Sequence, residues 1–267
     1  MSHTSHNNLV KRVAGLGALA VGALLASQAA FACQTTNWSA TSGAVVAGSP
    51  TPDAVARYSG LCGLEATGSG FVQDNSPGGI DRIVARFYVL NDNTATATVY
   101  SGFGATDGTG QRFSVSLNNA GQVTLTDTAT GQSVSQSGAT NWLSVEIDWG
   151  QGAGSGFISL SVNGQTAEET TGLSNSGTAL QSVRLGNLNG AAGTLGFDSY
   201  ESRRSTAVGR LVVADATNDG AVNGLDIVSV RNEALGNSLA SGQPDCNEDG
   251  IITGVDIVCT RLIVLGG

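Results

Sequence analysis

Through most of its middle, the chain alternates apolar and polar residues at a period of two. The clearest runs are "DRIVARFYVL" (81–90), "TATATVYSGF" (94–103), "QRFSVSLN" (111–118), "GQVTLTDT" (121–128), "NWLSVEIDW" (141–149), "GFISLSVNG" (156–164), "LQSVRLGNL" (180–188) and "GTLGFDSYES" (193–202). Successive side chains of a strand point to opposite faces, so each run predicts a strand with one buried face. The stretches "NDN", "NNAG", "GQGAGSG" and "NGAAG" separate these runs and read as turns; Asn163-Gly164 is a hairpin signal. Short strands joined by Gly/Asn turns predict a mainly β fold, an antiparallel β-sandwich (jelly roll) over residues 33–205.

Beyond residue 205 the period changes. In "GLDIVSVRNEALG" (224–236) and "GVDIVCTRLIVLG" (254–266) apolar residues recur at spacings of three and four, which predicts two helices, each stopped by a glycine. Residues 206–267 thus read as a small α-helical module. Leu225, Ile227, Val228, Leu235, Val255, Ile257, Val258, Leu262 and Leu265 are expected to form its core.

The two helical runs belong to a duplication. "DATNDGAVNGLDIVSVRNEALG" from residue 215 and "DCNEDGIITGVDIVCTRLIVLG" from residue 245 agree at ten of twenty-two positions, with a period of 30 residues. Oxygen-bearing side chains fall at loop positions 1, 3, 5, 9 and 12: Asp215, Thr217, Asp219, Asn223 and Asp226, then Asp245, Asn247, Asp249, Thr253 and Asp256. Position 6 is Gly220 or Gly250, and the position 7 carbonyl belongs to Ala221 or Ile251. Calcium takes six to eight oxygens, and a loop supplies them when alternate residues point inward around a sharp turn. The spacing reads as two EF-hand-type loops holding two Ca2+ ions.

Removing the N-terminus alters the charge balance. Lys11 and Arg12 precede an apolar, small-residue run that ends at Ala30-Phe31-Ala32, so residues 1–32 read as a secretory signal peptide. A transmembrane helix and a lipoprotein signal (Cys33 follows the cleavage site) are the alternatives. No later run is apolar enough to span a bilayer, and the exported chain is expected to be secreted or at the cell surface. It keeps no histidine and no lysine, and has ten arginines against twenty-one acids, a formal net charge of −11. That composition excludes Ser-His-Asp catalysis, His-based zinc sites and Schiff-base chemistry, and argues against nucleic-acid binding. Cys33, Cys62, Cys246 and Cys259 allow three disulfide pairings in an exported chain; proximity favours Cys33–Cys62 and Cys246–Cys259.

No helix is expected before either loop, and position 12 is Asp rather than Glu. This duplicated loop-then-helix unit, over roughly residues 211–267, resembles the type I dockerin module. The resemblance implies two calcium ions and docking to a cohesin-like receptor domain through positions 10 and 11 and later helix positions. Here those are Gly224-Leu225 and Gly254-Val255, with Arg231 and Arg261 at position 17, where dockerins often carry Ser/Thr at 10 and 11. The strand order carried by "ARFYVL", "WLSVEIDW", "FISLSVNG" and "GTLGFDSYESRR" resembles the concanavalin A-like lectin/glucanase superfamily, which includes laminin-G-like domains, enzymes and pure binders. "EIDWGQ" (146–151) is similar to the E-x-D-x-x-E strand of its retaining endoglucanases, which makes Glu146 and Asp148 catalytic candidates. Gln151 stands where the second glutamate would be, so a polysaccharide-binding protein is the first expectation and a glycoside hydrolase with other carboxylates the alternative. A third reading is a structural protein that self-associates through its C-terminal module. The aromatic candidates for sugar stacking are Trp38, Trp142, Trp149, Tyr58, Tyr88, Tyr100 and Tyr200.

Overall fold

In a computed structural model, residues 33–51, 53–93 and 95–266 are described; the expected signal peptide lies outside them. The fold is mainly β, with antiparallel strands β1 (Ala40–Gly48), β2 (Gly63–Asp74), β3 (Arg82–Asn93), β4 (Ala97–Phe103), β5 (Gln111–Leu117), β6 (Gln122–Asp127), β7 (Ser133–Ser137), β8 (Trp142–Gly150), β9 (Ala153–Val162), β10 (Glu168–Ser174), β11 (Ser182–Gly186) and β12 (Gly193–Arg203). Helices α1 (Gly224–Ala234) and α2 (Gly254–Val264) follow. Among the described residues, no helix is long and apolar enough to cross a membrane.

Hydrogen bonding links the strands in the order β10-β9-β8-β3-β12-β2-β11-β4-β5-β6-β7, with β1 paired only to β2. Strand β2 joins the two halves of this path. Its residues 64–67 pair with β12 and its residues 71–74 with β11. The change of partner falls at Gly68-Ser69-Gly70, where β1 carries a bulge between Ser42 and Ala44. A Cβ on Gly43 would lie 2.6 Å from the Ser69 carbonyl oxygen, and one on Gly70 would lie 2.4 Å from that of Ala44. Only glycine lets the two backbones cross this closely.

The path curls until β7 lies beside β9 and β10. Gln136 of β7 bridges that edge: its Nε2 donates to the Thr166 carbonyl at 2.7 Å and its Oε1 accepts from Val162 N–H at 2.8 Å. The nearly closed sheet encloses one core, to which β3 gives Ile83, Ala85, Phe87 and Val89 and β8 gives Leu143, Val145, Ile147 and Trp149. The alternate residues of these strands, including Arg86, Tyr88, Trp142, Glu146 and Asp148, lie on the outer face in register, Tyr88 opposite Ser144 and Arg86 opposite Glu146.

Eight strands coincide with the alternating runs of the sequence. The others, β1, β2, β7 and β10, have no such run. Strands β7 and β10 end the path and are largely exposed, so they need few apolar residues; β1 and β2 are interrupted by the glycines of the crossing. Both disulfides form as proximity favoured, with Cα–Cα distances of 5.2 Å for Cys33–Cys62 and 5.8 Å for Cys246–Cys259.

The expected C-terminal core needs correction. The residues that gather there are Ala216, Val230 and Ala240, with Ile252 and Ile257 against them. Leu225, Val228, Leu235, Val255, Val258, Leu262 and Leu265 are all more than half exposed, and Ile227 and Ile257 are half-buried. The helices turn Asp226, Val230, Asp256 and Thr260 inward, which leaves the larger apolar side chains exposed.

Candidate calcium loops and the surface beneath them

Each loop is shaped by its first aspartate. Asp215 accepts hydrogen bonds from Asp219 N–H (3.1 Å) and Gly220 N–H (2.9 Å); Asp245 accepts from Asp249 N–H (3.1 Å) and Gly250 N–H (2.7 Å). Asp219 and Asp249 accept in turn from the N–H two residues on, of Ala221 and Ile251. Short acidic side chains favour such local closures. Gly220 and Gly250 have φ of 85° and 89° at the sharp turn, which an L side chain resists.

The twelfth residue closes each loop. Asp226 accepts from Thr217 N–H and Oγ1 (2.9 and 2.8 Å) and from Asn223 N–H (2.8 Å). Asp256 accepts from Asn247 N–H (3.4 Å) and Thr253 N–H (2.8 Å). Asn223 and Thr253 also cap α1 and α2, each side chain accepting from the N–H two residues on. In both copies hydrogen bonds thus link position 1 to position 5 and position 3 to position 12. Position 9 serves as helix cap, and the position 7 residues Ala221 and Ile251 are exposed.

The electrostatics are unusual. Asp215, Asp226, Asp245 and Asp256 are buried, and among the described residues none forms an ion pair with an arginine. Buried carboxylates without a cation are costly. Burial pushes the Asp245 carboxyl up to about 7; the Gly250 N–H opposes this, and the charges of Asp256 and Asp249 add to it. No three His, Cys, Asp or Glu side chains among the described residues form a preformed metal cluster, because the carboxylates are turned to loop N–H groups. The donor set, hard oxygens with surplus negative charge around a glycine turn, fits a divalent hard cation.

The two copies differ in what covers them. A Cβ on Gly220 would meet nothing within 4 Å, whereas one on Gly250 would lie 3.2 Å from Leu90 and 3.9 Å from the Trp142 indole nitrogen. Glu248, at position 4 with φ of 58°, is the anchor. Its carbonyl accepts from Asn141 N–H (3.1 Å) and Trp142 N–H (3.2 Å). Its carboxylate accepts from Tyr58 Oη at 2.7 Å and pairs with Arg210. Asn141 Nδ2 donates to the Asp249 carbonyl at 2.8 Å. A second anchor is the buried pair of Arg57 and Glu233 on α1, at 2.5 Å.

This docking accounts for most of the candidate residues on the outer face. Glu146 accepts from Val208 N–H (3.1 Å) and Gly209 N–H (2.6 Å), and so fastens the segment leading to the loops. Asp148 pairs with Arg82 at 2.6 Å, and Gln151 holds Arg112 and Asp81. Neither catalytic candidate is poised for acid/base work. Trp142, Tyr58 and Tyr88 form a fully buried cluster beneath the second loop, and Tyr88 Oη accepts from Leu211 N–H at 2.8 Å. Trp149 and Tyr100 lie in the main core. Those five aromatics are unavailable for sugar stacking. Trp38 and Tyr200, with ring centroids 5.3 Å apart, border a cavity of about 150 Å³ with Asp198 and the Cys33–Cys62 bridge. Asp198 accepts from the N–H groups of Tyr58, Ser59 and Ser199, and desolvation pushes its carboxyl up to about 6 against those bonds. Glu248, Arg57 and Arg210 were not singled out by sequence. The one local sign is a glutamate at loop position 4, where the first copy has Asn218, a residue that accepts positive φ more readily.

No family model matches this sequence, and no curated protein matches it. Among solved structures, the chain is similar to the binding domain of botulinum neurotoxin DC in complex with SialylT, at 11% identity and a TM-score of 0.40, over 62% of this chain and 43% of that one. It is similar to Trypanosoma rangeli sialidase at 11% identity and a TM-score of 0.40, over 54% of this chain and 26% of that one. It is also similar to a native heptameric SAP-like pentraxin from Limulus polyphemus, at 12% identity and a TM-score of 0.37, over 48% of this chain and 67% of that one. The chain spans less than half the length of the toxin and sialidase chains. These scores are too low to carry a structural or functional argument.

Proposed function

We propose that the protein is an exported, non-catalytic binding protein. In this reading the β-body recognises a polysaccharide, and the C-terminal segment takes up two calcium ions and presents a docking face. The observation that carries the calcium reading is the set of four buried aspartates, two per duplicated loop, with no arginine paired to them among the described residues. Asp215, Thr217, Asp219 and Asp226 would hold one ion and Asp245, Asn247, Asp249 and Asp256 the other, with the Ala221 and Ile251 carbonyls completing the shells. Bound calcium would supply the charge compensation that the loops lack and fix them against their helices.

The exposed apolar side chains support the docking role, since they recur at matching positions of the two copies: Leu225 with Val255, Val228 with Val258 and Leu235 with Leu265. The dockerin resemblance implies a cohesin-like receptor domain for that face. The disulfides support export. Glu146 and Asp148, the two catalytic candidates, are engaged by the linker and by Arg82.

Calorimetric titration of the chelated chain tests the calcium reading. Uptake close to two ions per chain is expected, falling to about one in Asp226→Ala and in Asp256→Ala. An affinity unaltered by both changes, or no uptake at all, sinks it. Size-exclusion chromatography with and without EDTA separates docking to another protein from calcium-dependent self-association.

A further inference from the structure

On the far half of the sheet, β2, β11, β4 and β5 carry a groove of about 510 Å³, within the range typical of small-molecule sites. Arg184 of β11 is among the residues that line it. Its guanidinium carbon is 4.4 Å from the Phe71 ring centroid and 4.9 Å from that of Phe103, so the cation is clamped between two aromatic faces. Nε donates to Gln73 Oε1 at 2.7 Å and Nη2 to the Asp107 carbonyl at 2.8 Å. Gly108, with φ of 86°, lies directly on the guanidinium: a Cβ there would come 2.1 Å from it.

The group is held rigidly, and its charge is offset only in part, by Asp107 acting on it without an ion pair. A guanidinium has five N–H donors, and two are used here, both by neutral acceptors. Among the described residues Arg184 forms no ion pair. Asp107, the nearby acid, is committed to the N–H and hydroxyl of Thr109 at 2.8 and 2.6 Å. Among the described residues Nη1 makes no hydrogen bond, and it is not one of the buried unpartnered atoms, so it is not sealed from solvent. Thr98, Thr109 and Gln111 also line the groove, and the Gln111 amide donates to the buried Ser101 hydroxyl at 3.1 Å, which fixes its orientation. A planar cation with a free edge matches a carboxylate, and hydroxyl and amide neighbours match a polyhydroxylated ring.

We propose that this groove binds a carboxylate-bearing sugar of an acidic glycan, with Arg184 as the partner of the carboxylate. The proposal rests on the glycan-binding reading above and assigns it a site and a substrate class. Internal uronate units and terminal sialic-acid caps share the required chemistry. Short oligomers are the right probes, because the acidic chain repels a long polyanion.

The test is calorimetry of the full chain with oligogalacturonate, with a sialyl-oligosaccharide, and with the methyl ester of each. The free acid from one source is expected to bind, with its ester about 10- to 100-fold weaker, as loss of a charge-assisted pair implies. Arg184→Met should weaken acid binding by a similar factor and so abolish the difference between acid and ester. Gly108→Ala should do the same by displacing the guanidinium. The acid–ester comparison on the unaltered protein needs no variant to fold. Equal affinity for acid and ester, or unchanged acid binding in Arg184→Met, overturns the proposal. If neutral glycans bind and acidic ones do not, the groove assignment fails and the glycan-binding reading stands. If no glycan of a broad array binds, both fail.

Discussion

The ion pair between Arg57 and Glu233 makes a strong test of how the C-terminal segment is held. Arg57 Nη2 donates to both Glu233 oxygens at 2.5 Å, and Glu233 also accepts from Ala240 N–H at 2.7 Å. Side-chain exposure is 3% and 9%, so neither charge reaches water if the other is removed. Arg57→Met alone should therefore cost about 3–5 kcal/mol, because it strands a buried carboxylate, and Glu233→Met should cost about as much by stranding the guanidinium. The double variant should behave differently. Arg57 Nε and Nη1 already lack partners, each a penalty of about 1–3 kcal/mol that methionine removes; the Ala240 N–H left open returns about one such penalty. Arg57→Met/Glu233→Met is thus expected within about 1 kcal/mol of the parent, giving a coupling of about 5 kcal/mol or more. Urea unfolding at fixed calcium, followed by tryptophan fluorescence and circular dichroism, measures all four proteins. A single-variant cost below about 1 kcal/mol, or a double-variant cost equal to the sum of the singles, would refute the reasoning.

Three further outcomes are expected. The Asp198 carboxyl titrates at about 6 in the folded protein against an ordinary 3.8, so between those values the native state holds the proton more tightly than the unfolded one. Stability should fall by about 3 kcal/mol as pH rises through that window, and a flat stability profile between pH 4 and 6.5, corrected by Asp198→Asn, would contradict this. Replacing both Cys246 and Cys259 by serine opens a loop of sequence separation 13 and should cost about 3 kcal/mol in urea unfolding; the same change at Cys33 and Cys62, separation 29, should cost slightly more. Gly220→Ala and Gly250→Ala impose the same backbone penalty, but only the second adds a Cβ against Leu90; thermal melts should show the larger loss for Gly250→Ala, and equal losses would mean that the second loop is not docked.

The legible parts of the molecule were those set by local repetition. Strands with one buried face, such as Arg82–Asn93 and Trp142–Gly150, declare themselves by alternation. The duplicated loops declare themselves by side-chain type and spacing, and the helices by their caps. Strand β2 did not, because its Gly68-Ser69-Gly70 break answers to a partner change far along the chain. The roles of Glu146, Trp142 and Tyr88 were hidden for a related reason. Alternation places them on the outer face correctly, but an outer face reads as solvent-facing until something covers it. What covers it is a segment 60 to 160 residues away, recruited through Glu248, whose carbonyl, carboxylate and positive φ are used together.

The unequal covering of the two loops bears on how such a duplication can drift. Around Asn218 and Gly220 a substitution need only preserve the local turn, so the first copy can vary its surface freely. Around Glu248, Asp249 and Gly250 the same substitution is also judged by Asn141, Trp142, Leu90 and Tyr58. The second copy is therefore the mutationally brittle one. A change of surface chemistry has an easier route through residues 215–226 and α1 than through their counterparts, and a library randomised in both copies should return its folded variants unevenly, with diversity concentrated in the first.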